Sequence, residues 1–251
     1  MIELDIKENI SIITIKNGKV NALDHKMLLD IELALKDIEE SHHKTNTILI
    51  SGNGSFFSFG LDIPSFLELS RDELKLSINK LLHICDQLFR SSKVTISSLN
   101  GHATGAGCMI AISSDFRLMV NERSKIALNE INIGLPLFSS TILMLRNSIG
   151  YNNAKKVLLT GDLLSPQEAL NLGLVDSLHD KEDLYQRSLE LALSFKSKDS
   201  NIIKIMKNQL NAGLETYVPF DLKSSNEIEE FLDIFYLEET QNILRKIVVR
   251  K

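Results

Sequence analysis

The stretch that decides the fold runs from Ile96 to Met109 and reads ISSLNGHATGAGCM. Its first four residues complete an apolar strand, and the small residues Gly105, Ala106 and Gly107 then open a helix. Small residues let a ligand approach the backbone closely, and a helix N-terminus offers unpaired N–H groups. Such groups can hold an oxyanion. Taken alone, however, the pattern favours simple tight packing of the helix.

A second stretch, GSFFSFGLDIP from Gly54 to Pro64, also places glycine at a sharp turn into a helix. Asp62 is positioned as the N-cap of that helix, with Pro64 in its first turn. A helix that starts after glycine exposes unpaired backbone N–H groups. On these residues alone, an ordinary loop-to-helix turn is the favoured interpretation.

Around these two stretches, strands alternate with helices up to about Val120, and the pattern from Ser139 onward is almost entirely helical. This order predicts an α/β fold with a helical tail, without any visible sequence repeat. The last helix has one apolar face, which is typical of packing on another domain or subunit. The predicted elements are a hairpin turning at Glu8-Asn9, strands at 47–51, 94–99 and 115–120, helices after Asp24 and from 64 to about 89, a capping box at 165–168 ended by Gly173, and one long helix from about 226 to 248.

Composition excludes several classes of function. The chain has 251 residues, 43% of them hydrophobic, and a formal net charge of -5, which is typical of one or two globular domains without a nucleic-acid-binding face. Two cysteines cannot build a disulfide framework, and the scattered histidines do not suggest a metal site. The sequence contains no apolar run long enough for a membrane span and no signal-peptide pattern. A cytoplasmic location is therefore expected.

Several ordered motifs together resemble the crotonase, or enoyl-CoA hydratase/isomerase, superfamily. The run ISSLNGHATGAGCMIAISSDF fits the family signature at nearly every position, and FFSFGLDIP is similar to its F-S-x-G-x-D motif. KVNAL matches the N-A-L coenzyme A loop, and ALNEINIGLP matches the segment that carries a catalytic glutamate. The motifs cover most of the chain in the family's order, which makes the combination far more specific than any single motif.

The resemblance implies a spiral of ββα units at residues 1–196, followed by a helical C-terminal trimerisation region at residues 197–251. It also implies an acyl-CoA substrate, no separate cofactor or metal, and a homotrimer or dimer of trimers. Two backbone N–H groups, of Leu61 and Ala106, would stabilise a thioester enolate, and Ala106 replaces the family's usual glycine. The positions that match the family's substrate and coenzyme A contacts are Ala22, Leu23, Gly60, Asp62, Ile63, Gly105, Gly107 and Met109.

Two positions discriminate between the reactions of this family. Hydratases use two glutamates to activate one water, and Met109 occupies the place of the first, where a thioether cannot act as a base. Glu130 matches the second, and its apolar neighbours predict a raised pKa suited to moving a proton near neutral pH. The GLD triplet ending at Asp62 and the NE pair ending at Glu130 look like those of Δ3,Δ2-enoyl-CoA isomerases.

The sequence thus favours an enoyl-CoA isomerase with Glu130 as its single acid/base. The alternatives are an enoyl-CoA hydratase or another crotonase-family reaction. From a different class, a protein that binds acyl-CoA without turnover also remains open. Products formed from 3-enoyl-CoA and from crotonyl-CoA would separate these three readings.

Overall fold

The computed structural model describes residues 1–41, 45–212 and 226–249 of the protein. Its strands are β1 (Ile2–Lys7), β2 (Ile10–Ile15), β3 (Thr47–Gly52), β4 (Phe56–Ser58), β5 (Val94–Leu99), β6 (His102–Thr104), β7 (Phe116–Val120), β8 (Ile126–Ala127) and β9 (Ser177–His179). Its helices are α1 (His25–Ser41), α2 (Ile63–Phe66), α3 (Arg71–Arg90), α4 (Ala106–Ile112), α5 (Ser139–Thr160), α6 (Pro166–Leu172), α7 (Lys181–Leu193), α8 (Ser200–Asn211), α9 (Glu227–Phe235) and α10 (Glu238–Val249). A short 3₁₀ helix spans Glu130–Ile133.

The strands form two separate sheets. The larger sheet has the order β1-β2-β3-β5-β7-β9, in which only the β1–β2 hairpin is antiparallel. The smaller sheet has the parallel order β4-β6-β8. This arrangement confirms the predicted α/β class.

Successive strands alternate between the two sheets, which gives the chain its spiral path. β3, β5 and β7 lie side by side in the larger sheet, and the strand that follows each of them, β4, β6 or β8, enters the smaller sheet. The structure therefore contains repeated ββα units although the sequence shows no repeat. Because parallel strands share one direction, the carboxyl ends of β4, β6 and β8 meet at a single edge of the smaller sheet.

Local signals account for most of the element boundaries. Glu8 and Asn9 adopt positive φ at the hairpin turn, and the N–H of Met27 donates to the Asp24 carboxylate over 2.7 Å at the start of α1. The predicted capping box of Ser165 and Glu168 is present. Gly173 ends α6 with a φ of 76°, a conformation that glycine adopts without steric cost.

The protein has two apolar layers, one on each side of the larger sheet. The main core lies between this sheet, the smaller sheet and helices α1, α3, α4 and α5. The second, smaller core lies between the outer face of the larger sheet and α7. Every residue of β5 is buried because the strand is covered on both faces.

Two predicted helices are divided in the structure. The predicted helix from 64 to about 89 is α2 followed by α3, and Ser70 starts α3 with a capping box to Glu73 that the sequence interpretation overlooked. The predicted helix from 226 to 248 is α9 and α10, separated near Tyr236. The division allows α9 to pack against α3 and α10 to pack against the 3₁₀ helix. A single straight helix could not contact both elements.

Buried residues of the C-terminal helices belong to the main core. Phe231, Phe235 and Leu244 lie in the same apolar cluster as residues of the spiral. Lys207 of α8 is buried and donates to the carbonyl of Lys93 over 2.8 Å and to Asp115 over 2.7 Å. The boundary between residues 196 and 197 stays a prediction, and residues 213–225 and 250–251 of the predicted C-terminal region lie outside the described residues.

No helix in the described ranges combines the length and the apolar character required to cross a lipid bilayer.

Candidate active site

A cavity of about 320 Å³ opens where the carboxyl ends of β4, β6 and β8 meet. Each of these strands contributes the residues that follow it: Gly60 and Leu61 after β4, Gly105 and Ala106 after β6, and Glu130 after β8. The further lining residues are mainly apolar and come from α2, α3, α4, the loop before α5, α9 and α10. Such an apolar cavity with a few convergent polar groups is typical of a small-molecule site.

The segment after β4 presents an unpaired backbone N–H. Gly60 has a φ of +93°, and its carbonyl accepts a 2.8 Å hydrogen bond from Leu23. The N–H of Asp62 donates back to the carbonyl of Leu23 over 3.1 Å. Within the described residues, this pairing leaves the N–H of Leu61 without an acceptor.

The segment after β6 presents a second unpaired N–H. Gly105 has a φ of +54°. Its N–H donates to the carbonyl of Ala127 over 2.9 Å, and its carbonyl accepts from the N–H of Met109 over 3.0 Å. Ala106 is the first residue of α4, so its N–H has no acceptor in the preceding turn of the described chain. The N–H of Ala106 is therefore unpaired because Ala106 is the first residue of a helix.

The two unpaired N–H groups belong to segments in close contact. A Cβ atom at Gly60 would lie 3.3 Å from the nitrogen of Ala106 and only 2.7 Å from the carbonyl oxygen of Thr104. The approach therefore depends on glycine at position 60. Two adjacent N–H donors facing a cavity form an arrangement that can stabilise a developing oxyanion.

Glu130 places its carboxyl group beside these donors. A Cβ atom at Gly105 would lie 3.5 Å from Oε1 of Glu130. Oε2 is buried, and no group among the described residues donates a hydrogen bond to it. Burial raises the pKa of Glu130 to about 7, and a hydrogen bond from its own backbone N–H lowers that pKa slightly. The carboxyl group can therefore both accept and return a proton near neutral pH.

Most of the side chains that line the cavity together with Glu130 are apolar. Met109 is 2% exposed and lines the cavity. In the described part of the chain, Glu130 is the only carboxylate among the lining residues. Desolvation, and not repulsion by a neighbouring carboxylate, therefore raises the pKa of Glu130.

Two basic side chains, His102 and Lys125, also line the cavity. The ring of His102 stacks on Phe56 at 4.8 Å, and burial, followed by the nearby Lys125, lowers the pKa of His102. These residues lie at the amino ends of β6 and β8, whereas Glu130 lies beyond the carboxyl end of β8. The basic side chains and Glu130 therefore come from opposite ends of the strands.

Two asparagines support the loop that leads to Gly60. Asn21, in a positive-φ conformation, donates to the carbonyls of Asn53 and Phe56 over 2.9 and 2.7 Å. Asn100 accepts from the N–H of Gly52 and donates to the carbonyl of Gly54, both over 2.9 Å. The sequence interpretation missed this role, although the Asn100-Gly101 pair is a turn signal that could have indicated it.

The structure brings most of the predicted site residues together. The cavity is lined by Gly60, Leu61, Ile63, Gly105, Ala106, Met109 and Glu130. Other lining residues were not among the predicted site residues: Phe59, Lys125, Asn129, Phe231 and Ile247.

Four predicted residues lie beside the described lining rather than in it: Ala22, Leu23, Asp62 and Gly107. Leu23 pairs with the Gly60–Asp62 segment through its backbone. Gly107 packs α4 on β4, where an added Cβ would lie 2.5 Å from the carbonyl of Ser58. Asp62 stands at the N-cap of α2 with Pro64 in the first turn, as predicted, and its side chain makes no capping hydrogen bond.

Comparisons with known proteins agree on one family. The sequence model of the enoyl-CoA hydratase/isomerase family matches residues 5–237. The human protein named enoyl-CoA delta isomerase 1, mitochondrial, is 27% identical over 95% of this chain and 82% of that protein. The Clostridium acetobutylicum protein named short-chain-enoyl-CoA hydratase is 26% identical over 99% of this chain and 94% of that protein.

A solved structure of human mitochondrial Δ3-Δ2-enoyl-CoA isomerase superposes with a TM-score of 0.91 at 22% identity, covering 100% of this chain and 96% of that one. The two interleaved sheets and the spiral path are thus those of the crotonase fold. The chain belongs to the enoyl-CoA hydratase/isomerase family, since the family match extends over most of its length.

Proposed function

We propose that the protein is a Δ3,Δ2-enoyl-CoA isomerase in which Glu130 is the only acid/base. The observation that carries this proposal is the position of the Glu130 carboxyl group. It is buried, it is the only carboxylate among the described lining residues of the cavity, and it lies beside the unpaired N–H groups of Leu61 and Ala106. The substrate is the coenzyme A thioester itself, and no further cofactor takes part.

The reaction needs one proton to leave C2 and one to reach C4. The Glu130 carboxylate removes a proton from C2 of a 3-enoyl thioester, and the negative charge moves to the thioester oxygen. The N–H groups of Leu61 and Ala106 stabilise this dienolate. Glu130, now protonated, returns the proton to C4, which leaves the double bond between C2 and C3. No water is added and the carboxylate is regenerated.

The pKa of Glu130, raised to about 7 by burial, suits both halves of this cycle. A base of this pKa is strong enough to accept a proton from C2, and its conjugate acid is strong enough to release that proton to C4. A carboxylate with an ordinary pKa would be a weaker base. The environment of Glu130 therefore supports its action first as the base at C2 and then as the acid at C4.

Enoyl-CoA hydratase is the second candidate, favoured by the 26% identity to the Clostridium acetobutylicum hydratase. Hydration requires a water held and activated at the double bond. Met109, at the position that resembles the first hydratase glutamate, offers no carboxylate for that purpose. The lining of the described cavity therefore favours isomerisation over hydration.

Product analysis tests the proposal. We expect the purified protein to convert 3-cis-hexenoyl-CoA to 2-trans-hexenoyl-CoA and to leave crotonyl-CoA unhydrated. Glu130→Gln, which keeps the side-chain size but cannot accept the proton, is expected to lower kcat by roughly 10²–10⁴-fold. Glu68→Gln, at an exposed position, is the matched control and should retain activity.

Three results would contradict the proposal. Hydration of crotonyl-CoA as the main reaction would indicate a hydratase. Coenzyme A thioester binding without any turnover would indicate a binding protein. Undiminished isomerisation by Glu130→Gln would show that another group moves the proton. Assembly as a homotrimer or dimer of trimers and a cytoplasmic location remain predictions of the same proposal.

A further inference from the structure

The apolar lining of the candidate active-site cavity includes an aromatic wall, formed by one side chain of α9 and one of the loop before α5. Phe138 and Phe231 both line the cavity, and their ring centres are 5.4 Å apart. They are 5% and 3% exposed, so their rings are packed on the sides that face away from the cavity. Ile78 and Leu81 of α3, against which α9 packs, line the same interior.

Core packing holds α9 in this position, because Phe231, Leu232 and Phe235 are buried in the main core. Polar contacts join α9 to the neighbouring elements. Glu227 accepts a hydrogen bond from the N–H of Ser139, the residue next to Phe138, over 2.9 Å. Arg71 of α3 contacts Glu229 over 2.8 Å and Asp233 over 2.6 Å, but these ion pairs are exposed and add little stability. Packing therefore restrains the ring of Phe231.

The cavity offers an acyl tail a mainly apolar lining. Its volume is about 320 Å³, and most of the side chains that line it are apolar. Each methylene group of an acyl tail that is buried against such a lining adds to the affinity of the substrate until the tail meets a boundary of the cavity. The side chains at that boundary therefore limit the length of chain that binds well.

From this geometry, and resting on the proposed function, we propose that Phe231, supported by Phe138, closes the far end of the acyl pocket and discriminates against long enoyl chains. Phe231 is thus a specificity-determining residue that the C-terminal region supplies to the active site of the same chain. It acts by steric exclusion of the terminal carbons of longer chains.

The test compares kcat/KM for 3-enoyl-CoA substrates of six, ten and fourteen carbons, together with Kd for the corresponding saturated acyl-CoAs. We expect the wild type to discriminate against the fourteen-carbon chain by at least on the order of tenfold. Phe231→Ala should remove most of that discrimination. Phe231→Leu, a milder change with less risk of misfolding, should reduce it in the same direction.

Phe235→Ala and Phe235→Leu are the matched controls. Phe235 lies one turn further along α9, with its ring centre 6.1 Å from that of Phe231, and is 1% exposed, but it does not line the cavity in the described chain. These variants should leave the ratio between chain lengths unchanged. A shift in the Phe231 variants that is no larger than in the Phe235 variants would overturn the proposal, as would equal use of six and fourteen carbons by the wild type.

Failure of this inference can be distinguished from failure of the proposed function. If no 3-enoyl-CoA is isomerised but the saturated acyl-CoAs still bind with the length limit and Phe231→Leu relaxes it, the pocket boundary stands and the isomerase proposal fails. If isomerisation occurs without any length limit, the isomerase proposal stands and the assignment of Phe231 fails.

Discussion

At the scale of single residues, the environment of the Glu130 carboxyl group disfavours its ionised form. Its Oε2 is buried without a hydrogen-bond donor in the described structure, and burial raises its pKa to about 7. Unpaired buried polar groups are costly, and they occur at functional sites because function requires them there. The free Oε2 is available to a proton from substrate because no protein group occupies it.

The same pKa shift predicts how stability depends on pH. Because the pKa of Glu130 is higher in the folded state than its ordinary value of 4.5, the folded protein binds more protons than the unfolded chain between these two pKa values. The contribution of Glu130 to stability is therefore fully present below about pH 4.5 and is lost as pH rises through about 7. The loss should reach on the order of 3 kcal/mol.

Urea unfolding of wild type and Glu130→Gln at pH 5 and pH 8 checks this prediction. The uncharged variant should be more stable than the wild type at pH 8, and the difference should largely disappear at pH 5. The exposed Glu68→Gln substitution controls for the general effect of removing one acid. An equal difference between wild type and Glu130→Gln at both pH values would be incompatible with a buried carboxyl group of raised pKa.

At the scale of secondary-structure elements, the candidate active site is formed by the short connections that follow the three strands of the smaller sheet. These strands have two or three residues each, so they provide little beyond direction and register. Their parallel order places Leu61, Ala106 and Glu130 at one edge. Catalytic geometry therefore depends on how closely the connections approach each other.

Gly60 and Gly54 offer a matched test of that approach. Both have positive φ, at +93° and +78°, but a Cβ at Gly60 would lie 2.7 Å from the carbonyl of Thr104, whereas a Cβ at Gly54 would have no neighbour within 4 Å. Each substitution by alanine should cost roughly 1–2 kcal/mol of stability through backbone strain. Only Gly60→Ala should also displace the N–H of Leu61 and lower kcat/KM, by about 10²-fold.

Thermal unfolding and isomerase kinetics of Gly60→Ala and Gly54→Ala separate the two effects. Equal losses of activity in both variants would mean that strain alone, rather than the contact between the two segments, explains the effect. Unchanged activity of Gly60→Ala would show that the approach of the two segments is not required.

At the scale of the whole molecule, α8 carries an apolar surface that the rest of the described residues leave exposed. Its buried side is held by Lys207, while the opposite side exposes four apolar side chains by 51–77%: Ile202, Ile205, Met206 and Leu210. A contiguous exposed apolar face on a helix is typical of a protein–protein interface. This face is consistent with the predicted assembly into a homotrimer.

We expect the wild type to elute as a trimer or hexamer, and Met206→Glu combined with Leu210→Glu to shift it toward the monomer, because charges at the centre of an apolar interface are strongly unfavourable. Light scattering coupled to size-exclusion chromatography measures this. Leu33→Glu, at a position of α1 that is 54% exposed, is the control. A wild type that is monomeric at micromolar concentration would refute the predicted assembly.

Much of the fold follows from local patterns in the sequence. The strands at 47–51 and 94–99, the Asp24 cap and the capping box at 165–168 agree with the structure because alternation and capping depend on neighbours only a few residues apart. The breaks near Ser70 and Tyr236 escaped prediction, since each helix turns to face a different part of the core.

By itself, the sequence determined the chemical groups of the site: glycines at the two turns, a helix that begins at Ala106, and one glutamate in an apolar segment. Only the tertiary structure decided that these groups meet, that Oε2 of Glu130 has no partner among the described residues, and that Phe231, about a hundred residues further along the chain, lines the same cavity as Glu130. The physical reason is that turn and helix signals act through adjacent residues. Desolvation and cavity shape depend instead on packing between segments that are distant along the chain.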